Sequence, residues 1–444
     1  MLTRIEIDGF KTFEEFRLDL RPFTAIVGPN ASGKSNLFDA MQLLAALADH
    51  DIHTAMQGLR GEPEEFFRQT SDGSSDRIKF AVEVFLDSEG TDDFGRSYKV
   101  PAQRLRYELT LGIRHGRDGG PRGVFVRDEF CSAMKRIDDH ATYLAPRKPS
   151  YGRYATPFIR RDEDAGDALL VRQDGPSKSG NPMRLSLKEA ARTALSTITT
   201  AEFPHLYALR KALRAVRFLE INPTAARGAN DRFEKTTLSP SASNLAAVLN
   251  RLRDQTKSEK RPDGVLADIA TDLSALIPSV CNVKVQSDDQ RQYSFSVGFT
   301  SDMSFSSRVI SDGTLRILAL LTILNDPDRR GTLCFEEPEN GVHEGRIPTL
   351  IDMLRNATRI DPDPKQVTFQ VILNTHSPKV MAALQDTEIV AADVVTLVDP
   401  TAERRTSRTR MRTGVKGSGD LVEPDRHLVR AEVDRLLQRA GDAG

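Results

Sequence analysis

The sequence contains little cysteine and no tryptophan. Among its 444 residues there are three cysteines, Cys131, Cys281 and Cys334, which are far apart and odd in number. A disulfide framework needs paired cysteines, and a zinc site built on cysteine needs closely spaced ones. We therefore expect neither a disulfide-stabilised fold nor a zinc site.

Long apolar runs are also missing. The longest candidate, residues 317–324, is much shorter than the roughly 18 apolar residues that a membrane-spanning helix requires. The first residues alternate between apolar and polar side chains, and they have neither the apolar region nor the cleavage site of a signal peptide. These features predict a cytoplasmic protein that has no membrane partner.

An excess of one charge is absent as well. The 62 Lys and Arg residues nearly balance the 63 Asp and Glu residues, which gives a net charge of −1. No overall field would attract nucleic acid, so any nucleic-acid surface must be local. The hydrophobic fraction of 39% and the charged fraction of 28% are ordinary for a folded globular chain. The length predicts about two to four domains or lobes.

Hydrophobic periodicity divides the chain into four segments and predicts an α/β fold. Residues 1–137 contain runs of alternating apolar and polar side chains, which predict a β-rich N-terminal lobe. Within residues 138–281, a long loop or a partly ordered insertion is predicted up to about residue 180, and a mainly helical region follows it. In residues 282–400 strands alternate with helices, which predicts a parallel sheet. Residues 401–444 are predicted to be a basic strand or loop and a helix near 426–438.

A phosphate-binding loop is predicted between the first apolar strand run and the helix that follows it. The segment GPNASGKS at residues 28–35 matches the pattern GxxxxGK[ST]. In this pattern Gly33 permits close approach of the backbone, Lys34 reaches the β and γ phosphates, and the Ser35 hydroxyl ligates Mg²⁺. The candidate nucleotide-binding residues here are Asn30, Ala31, Ser32, Gly33, Lys34, Ser35 and Asn36.

Two adjacent acids follow a second apolar strand run, residues 332–335. Glu336 is placed to hold Mg²⁺ through its water shell, and Glu337 is placed to polarise the attacking water as a general base. The alternative interpretation is a surface acidic turn, since adjacent glutamates usually lie in solvent. A buried strand before them and a phosphate loop elsewhere in the chain favour the catalytic interpretation.

Two further segments carry polar groups at element ends. Ser311 and Gly313 open a predicted helix, whose amino end can bind phosphate, although Ser and Asp at that position also favour a simple helix cap. His376 follows the predicted strand 369–373 and is placed to contact the γ phosphate or the attacking water, although a single histidine is more often structural. His50 and His53 lack carboxylate or cysteine companions, so we interpret them as surface residues.

The motifs GPNASGKSN, SDGT, FEEPENGVH and NTHSP, in this order, resemble those of ABC-type ATPase heads. The clade is the one that includes SMC, RecF and the overcoming-lysogenization-defect proteins, and the sequence is most similar to its bacterial AAA-type ATPases. The resemblance covers roughly residues 1–130 and 280–400, and residues 243–249 also resemble a family element. It implies a P-loop ABC-type ATPase head with ATP and Mg²⁺ as cofactors.

The resemblance also implies an ATP-dependent homodimer, in which each ATP lies between one protomer's phosphate loop and the other's signature helix. Ser311 and Gly313 would then act in trans, Glu336 and Ser35 would serve Mg²⁺, Glu337 would be the catalytic base and His376 the switch histidine. Residues 339–343 would form the D-loop that crosses the interface.

The sequence departs from the family pattern in two motifs. Glu336 stands where aspartate is usual, and SDGT replaces LSGGQ, which argues against a transporter subunit. Gln69 is a candidate for the Q-loop. The insertion is too short for a long coiled coil, so a helical arm or lid is expected. Only 68 residues follow position 376, which is too few for the nuclease domain of the lysogenization-defect proteins, so an effector would be a separate polypeptide.

Two functions remain open at this stage. The first is an ATPase whose hydrolysis cycle opens and closes a DNA-associated dimer in genome maintenance or phage defence. The second is an ATP-gated scaffold or sensor that hydrolyses slowly or not at all and holds a partner effector. A basic run, residues 404–416, could contact DNA or an acidic partner, but the lack of interleaved aromatic residues favours a solvated strand and loop.

Overall fold

The computed structural model describes most of the chain. The described residues are 1–70, 73–115, 121–152, 154–175, 182–287, 292–300, 303–363, 366, 368–399, 404–414, 427–429, 431–433 and 435.

The strands cluster at both ends of the chain. In chain order they are β1 (Leu2–Asp8), β2 (Phe16–Asp19), β3 (Phe23–Val27), β4 (Gln69–Thr70), β5 (Gly73–Ser74), β6 (Arg77–Phe85), β7 (Glu89–Thr91), β8 (Ser97–Lys99), β9 (Arg104–His115), β10 (Pro121–Ala133), β11 (Ile159–Arg161), β12 (Ala168–Val171), β13 (Met183–Ser186), β14 (Val216–Leu219), β15 (Asn230–Asp231), β16 (Val280–Ser287), β17 (Gln292–Phe299), β18 (Ser304–Ser306), β19 (Gly331–Glu336), β20 (Phe369–Thr375), β21 (Ile389–Asp399), β22 (Arg404–Gly414) and β23 (His427–Leu428).

The helices follow the phosphate loop and fill the middle and the last third of the chain. They are α1 (Lys34–Leu47), α2 (Ile52–Gln57), α3 (Pro204–Arg214), α4 (Pro223–Ala226), α5 (Leu245–Thr256), α6 (Leu266–Leu276), α7 (Asp312–Leu324), α8 (Ile347–Ala357) and α9 (Pro378–Ala383). Short 3-10 helices lie at Pro63–Phe66, Arg136–Asp138, Thr142–Arg147, Leu195–Thr197, Ser307–Val309, Glu344–Arg346 and Asp386–Glu388. Among the described residues no helix is long and apolar enough to cross a membrane.

The first large sheet is antiparallel and has the order β13-β12-β11-β10-β9-β6-β1-β2. The second has the order β14-β19-β20-β3-β21-β22-β23, and its strands from β14 to β21 run parallel. A small sheet of β15, β16, β17 and β18 lies beside α5 and the segment before α7. The α/β prediction, with a parallel sheet in the last third of the chain, is confirmed.

Helix α1 packs against both large sheets. Its apolar residues, including Leu37 and Leu44, join one core with the first sheet and with Ile26 and Cys334 of the second sheet. Alternate residues of the second sheet, such as Leu333, join the other core, which α5 to α8 complete. The strands beside the phosphate loop are therefore buried on both faces, as is usual for parallel sheets.

The boundaries of the sheets differ from the predicted segments 1–137, 138–281, 282–400 and 401–444. Strand β3 lies in the predicted N-terminal lobe but pairs with β20 and β21. Strands β11 to β13 and β14 lie in the predicted insertion, yet they extend the first and second sheets. Strand pairing between distant segments leaves no local signal in the sequence, so the predicted segments do not follow the sheets.

Two local predictions also need correction. The segment 138–180 was expected to be a loop, but it contains a 3-10 helix and the strands β11 and β12, whose apolar residues Ile159 and Val171 are buried. The C-terminal helix was predicted near residues 426–438; residues 427–428 form a strand instead, whereas residues 431–433 and 435 are helical. Most of that predicted helix, and Lys416 of the basic run, lie outside the described residues.

Candidate nucleotide-binding site

The phosphate loop joins the buried strand β3 to helix α1. Ala31 and Gly33 both adopt left-handed backbone angles, with φ of 60° and 89°. Such alternation points successive backbone N–H groups into a concavity that suits an anion. At Gly33 a Cβ atom would lie 2.1 Å from Thr409 Oγ1 of β22, so only glycine fits there. Part of the basic run therefore forms strand β22, and Thr409 of this strand packs against the phosphate loop at Gly33.

Lys34, the first residue of α1, bends back over the loop. Its ammonium donates to the carbonyl oxygens of Gly28 (2.8 Å) and Pro29 (2.7 Å). Burial lowers the pKa of Lys34, whereas the negative charges of Glu337 and Glu336 act in the opposite direction. The lysine is therefore held at the loop, close to the two acids predicted from the sequence.

The other predicted loop residues divide into two groups. Ser32 is buried and its Oγ has no hydrogen-bond partner in the described structure, while the side chains of Asn30 and Ala31 are exposed. Asn36 donates its side-chain amide to Thr12 Oγ1 at 2.9 Å. Its side chain therefore fastens α1 to the segment after β1, which leaves the backbone N–H as the group that Asn36 can offer to a nucleotide.

Glu336 ends β19 and lies beside Ser35, although 301 residues separate the two in sequence. Its Oε1 accepts hydrogen bonds from Ser35 Oγ (3.1 Å) and from Asn374 Nδ2 (2.8 Å). The parallel register pairs Glu336 with Asn374, so the strand neighbour orients the carboxylate. A hydroxyl and a carboxylate oxygen at this separation are ligands that Mg²⁺ prefers, with nucleotide and water completing its shell.

Glu337 occupies a sharp turn directly after β19. Its backbone is left-handed, with φ of 48°, an unusual angle for a side-chain-bearing residue. Its Oε1 lies 3.0 Å from His376 Nδ1, and its Oε2 accepts from Asn340 Nδ2 at 2.8 Å. The side chains of Glu337 and His376 are 39% and 50% exposed. Strand order thus brings together two predicted residues at the carboxyl edge of the sheet.

Thr375, which the sequence analysis missed, links three segments of this edge. Its Oγ1 donates to Glu339 Oε1 (2.5 Å) and accepts from Ser377 N (2.9 Å). Its carbonyl oxygen accepts from Gly28 N at 3.4 Å. Burial raises the pKa of Glu339, whose Oε2 has no partner in the described structure. The signal was available, since residues 374–376 end a strand beside the phosphate strand.

The predicted signature residues lie at the exposed amino end of α7. Ser311 caps this helix by accepting a hydrogen bond from Thr314 N at 3.2 Å, so the helix-cap interpretation is correct for the single chain. Gly313 packs against Gly341. The two backbones are so close that a Cβ atom added at Gly313 would lie 2.8 Å from the Gly341 Cα. Arg227 donates to the Ile310 carbonyl oxygen at 2.8 Å. The signature and the 339–343 turn therefore lie side by side and form one surface.

A cavity of about 310 Å³ opens beside the acidic turn. Its lining includes Ser35 and Glu337, together with Glu220 and Arg316. Glu220 follows β14, the neighbour of β19, and the sequence analysis did not single it out. Gln69, the predicted Q-loop residue, does not line this cavity. Its side-chain amide instead donates to Phe67 O and to Ser74 Oγ, both at 3.1 Å.

The remaining predicted exclusions concern metals and disulfides. In the described ranges no three His, Cys, Asp or Glu side chains cluster as a protein-only metal site. His53 Nε2 contacts Gln57 Nε2 at 2.9 Å, within helix α2. The three cysteines are free, and Cys131 and Cys334 are buried.

Comparison with known proteins extends these observations. A family described as "AAA domain, putative AbiEii toxin, Type IV TA system" matches residues 23–382, which is most of the chain. The DNA replication and repair protein RecF of Rhodococcus erythropolis is 26% identical over 147 residues, covering 32% of this chain and 35% of RecF. The OLD nuclease of Thermus scotoductus is 35% identical over 66 residues, covering 15% of this chain and 12% of that nuclease.

The chain therefore aligns with about a third or less of these curated relatives. Among solved structures, the SMC head bound to the C-winged helix domain of ScpA matches with a TM-score of 0.51 and 12% identity, covering 93% of this chain and 97% of that one. At this identity the likeness shows the fold. The chain belongs to the family described as "AAA domain, putative AbiEii toxin, Type IV TA system", and it has the fold of the ABC-type ATPase heads of the SMC, RecF and OLD clade.

Proposed function

We propose that the chain binds ATP with Mg²⁺ at the phosphate loop and hydrolyses it. The observation that carries this proposal is the meeting of three distant segments at one edge of the second sheet. Lys34 and Ser35 come from the phosphate loop, Glu336 and Glu337 follow β19, and His376 follows β20. Membership of an ATPase family supports nucleotide binding at this edge.

The residues of the loop have separate roles in binding. Backbone N–H groups of residues 30–35 and the amino end of α1 bind the triphosphate, and Lys34 exchanges its carbonyl partners for phosphate oxygens. Ser35 would ligate Mg²⁺ directly, and Glu336, whose carboxylate is oriented by Asn374, would hold it through water. Bound Mg²⁺ supplies charge neutralisation at the β and γ phosphates.

The acid–base pair carries the chemical step. Glu337 accepts a proton from the attacking water, while Asn340 and His376 fix the two oxygens of its carboxylate. Half exposure keeps both side chains of the pair accessible to a nucleotide that covers the edge. The left-handed turn at Glu337 holds the carboxylate away from the strand axis and toward the cavity.

We further propose an ATP-linked, head-to-tail homodimer in which Ser311 and Gly313 of one protomer contact the nucleotide of the other. The exposed amino end of α7 offers backbone N–H groups and a positive helix end, which suit a phosphate. The packing of Gly313 on Gly341 supports a joint surface of the signature and the D-loop turn.

The biological setting that we propose is a DNA-associated process such as genome maintenance or phage defence, with a separately encoded effector. Its support is the family description, which includes a toxin of a toxin–antitoxin system, and the likeness to RecF and to an OLD nuclease. An alternative is a slow or non-hydrolysing ATP-gated scaffold, and the observation in its favour is the longer Glu336 side chain where aspartate is usual.

The experiment that tests the proposal is the molar mass of the Glu337→Gln variant by light scattering, with and without Mg-ATP. Removal of the base should trap ATP and convert monomer to dimer. Glu259→Gln, an exposed glutamate on another surface, is the matched control and should behave as the wild type. If the variant still binds ATP but its molar mass is the same with and without Mg-ATP, the sandwich dimer is contradicted. The rate of ATP hydrolysis by the wild type under the same conditions then distinguishes the ATPase proposal from the scaffold alternative.

A further inference from the structure

A second cavity lies in a different part of the molecule from the phosphate loop. It has a volume of about 720 Å³ and lies between the β7–β8 hairpin and the amino end of α3. Its lining includes Tyr98, Pro101, Tyr154, Asp174 and Pro204, and we name it the Asp174 cavity. The predicted nucleotide-binding and catalytic residues do not line it.

Asp174 is one member of a buried pair. The side chains of Asp174 and His205 are 3% and 1% exposed, and His205 Nδ1 contacts Asp174 Oδ2. The other ring nitrogen, His205 Nε2, lies 3.1 Å from the backbone N of Ala102. A backbone N–H can only donate, so Nε2 must accept and carries no proton. The ring proton is therefore on Nδ1, and His205 is neutral.

The charge of Asp174 is consequently not balanced by its histidine. Oδ2 accepts one hydrogen bond from a neutral ring, and Oδ1 is buried without a hydrogen-bond partner in the described structure. Buried carboxylates are normally paired or fully hydrogen-bonded, because removing a charge from water costs several kcal/mol. Arg172 does not supply this charge, since its guanidinium donates to the Thr156 carbonyl oxygen at 3.3 Å.

The walls of the cavity suit a cation. Two tyrosine rings, Tyr98 and Tyr154, line it together with two prolines. The ring of Tyr154 already has the Arg172 guanidinium carbon 5.5 Å from its centre, so this ring accepts cationic contact on a face. A carboxylate and aromatic rings in the lining of one cavity are the combination that recognises ammonium and guanidinium groups, although Lys99 also contributes to this lining.

We propose that the Asp174 cavity binds an organic cation, an ammonium or a guanidinium group, through Asp174 Oδ1 and the tyrosine rings. The ligand is either a free amine or the basic side chain of a polypeptide, because the recognising chemistry is the same. This site does not depend on the ATPase proposal, since none of the groups that form it belongs to the nucleotide edge.

The test uses the full chain without nucleotide and isothermal titration calorimetry. The probes are spermidine and agmatine as free cations, a short peptide with one exposed arginine, and 1,4-butanediol as an uncharged analogue. We expect one cation site per chain and no heat of binding from the diol. Asp174→Asn keeps an acceptor for the His205 N–H and removes the charge, so affinity should fall at least about tenfold. Glu89→Gln, an exposed carboxylate at the mouth of the same cavity, is the control and should change affinity less than about twofold.

The two sources of the ligand give different results. Binding of agmatine or spermidine supports a free amine, whereas binding of the peptide alone supports a basic side chain. Tyr154→Leu, which removes a ring and keeps an apolar wall, should weaken binding of whichever probe binds. No binding by any of the three cationic probes, or equal affinity of the wild type and Asp174→Asn, would overturn the proposal. Near-native circular dichroism of both variants shows that a loss of binding is not a loss of folding.

Discussion

Glu129 inside the first sheet and Glu337 at the carboxyl edge of the second sheet are organised in opposite ways. Glu129 of the first sheet is 1% exposed and accepts hydrogen bonds from Tyr107 Oη (3.0 Å), Ala194 N (2.5 Å) and Leu195 N (2.9 Å). At the edge of the second sheet, Glu337 and His376 are half exposed. One carboxylate is closed into the fold, and the other is kept open to solvent.

The same contrast appears in neighbouring residues. Arg104 of the first sheet is fully buried, and its guanidinium bonds both oxygens of Asp139, at 2.7 and 2.8 Å. At the nucleotide edge, by contrast, Ser32 Oγ and Glu339 Oε2 are buried without partners in the described structure. Buried polar groups with complete partners stabilise a fold, whereas incomplete ones mark a place where a ligand or a second chain can supply the partner. The following predictions test this distinction.

The largest effect is expected for Lys34→Ala. Loss of the ammonium removes the main side-chain contact to the β and γ phosphates, so ATP affinity should fall at least about a hundredfold, without loss of folding. Titration of a fluorescent ATP analogue measures this. Lys257→Ala, which removes an exposed lysine paired with Asp254, is the control. Unchanged affinity in Lys34→Ala would refute the phosphate-loop assignment.

The second prediction concerns the exposed end of α7. Ser311→Arg should leave ATP binding by the single chain intact but abolish ATP-dependent dimerisation and hydrolysis, because a long charged side chain blocks the surface that faces the partner. Ser311→Ala controls for the lost helix cap, which costs about 1 kcal/mol of stability. Light scattering and phosphate release report both steps. Full activity of Ser311→Arg would show that this end does not act in trans.

The third prediction concerns Glu129, the buried carboxylate of the first sheet. Burial raises the pKa of Glu129 to about 7, from the usual glutamate value of about 4.5. Because the folded state binds this proton more tightly, the stabilising contribution is complete below about pH 4.5 and is lost as the pH rises through about 7. Glu129→Gln should therefore gain stability relative to the wild type over this window, by about 1–3 kcal/mol.

Urea unfolding at pH 5 and pH 8 measures this difference. Glu163→Gln, an exposed glutamate, is the control and should show the same pH dependence as the wild type. If Glu129→Gln has an unaltered pH profile, the carboxylate does not titrate in this window and the contrast with the open edge is weaker. A change in ATP turnover with unchanged stability would be equally inconsistent with a purely structural role.

The sequence predicted which residues meet at the edge better than it predicted their contacts with neighbouring segments. The loop residues, Glu336, Glu337 and His376 were found because each follows a strand pattern that ends at the same sheet edge. Thr375 and Glu220 were missed, since their importance depends on strand order, and strand order joins segments hundreds of residues apart. The contact of Gly33 with Thr409 was missed for the same reason, because it also depends on strand order.

The first sheet shows a complementary limit. Its long strands were predicted from alternation, but β11 to β13 are only three or four residues long, and β11 and β13 also contain arginine, so this part of the sequence resembles a loop. They form strands because neighbouring strands supply the hydrogen bonds and bury Ile159 and Leu169. The Asp174 cavity lies just beyond this part of the sheet, which explains why the sequence patterns gave no sign of it.

The smallest effect is expected for Thr375→Val, which tests whether the edge depends on one hydroxyl. Valine has the same shape, so the strand should remain intact while Glu339 loses its donor and Ser377 N loses its acceptor. We expect kcat for ATP to fall about tenfold with little change in KM, because the turn that carries Glu337 and His376 is then less well positioned. Thr375→Ser restores the hydroxyl and should recover most of the activity. Equal kcat values for the valine variant and the wild type would mean that the edge is organised by its backbone hydrogen bonds and not by this side-chain link.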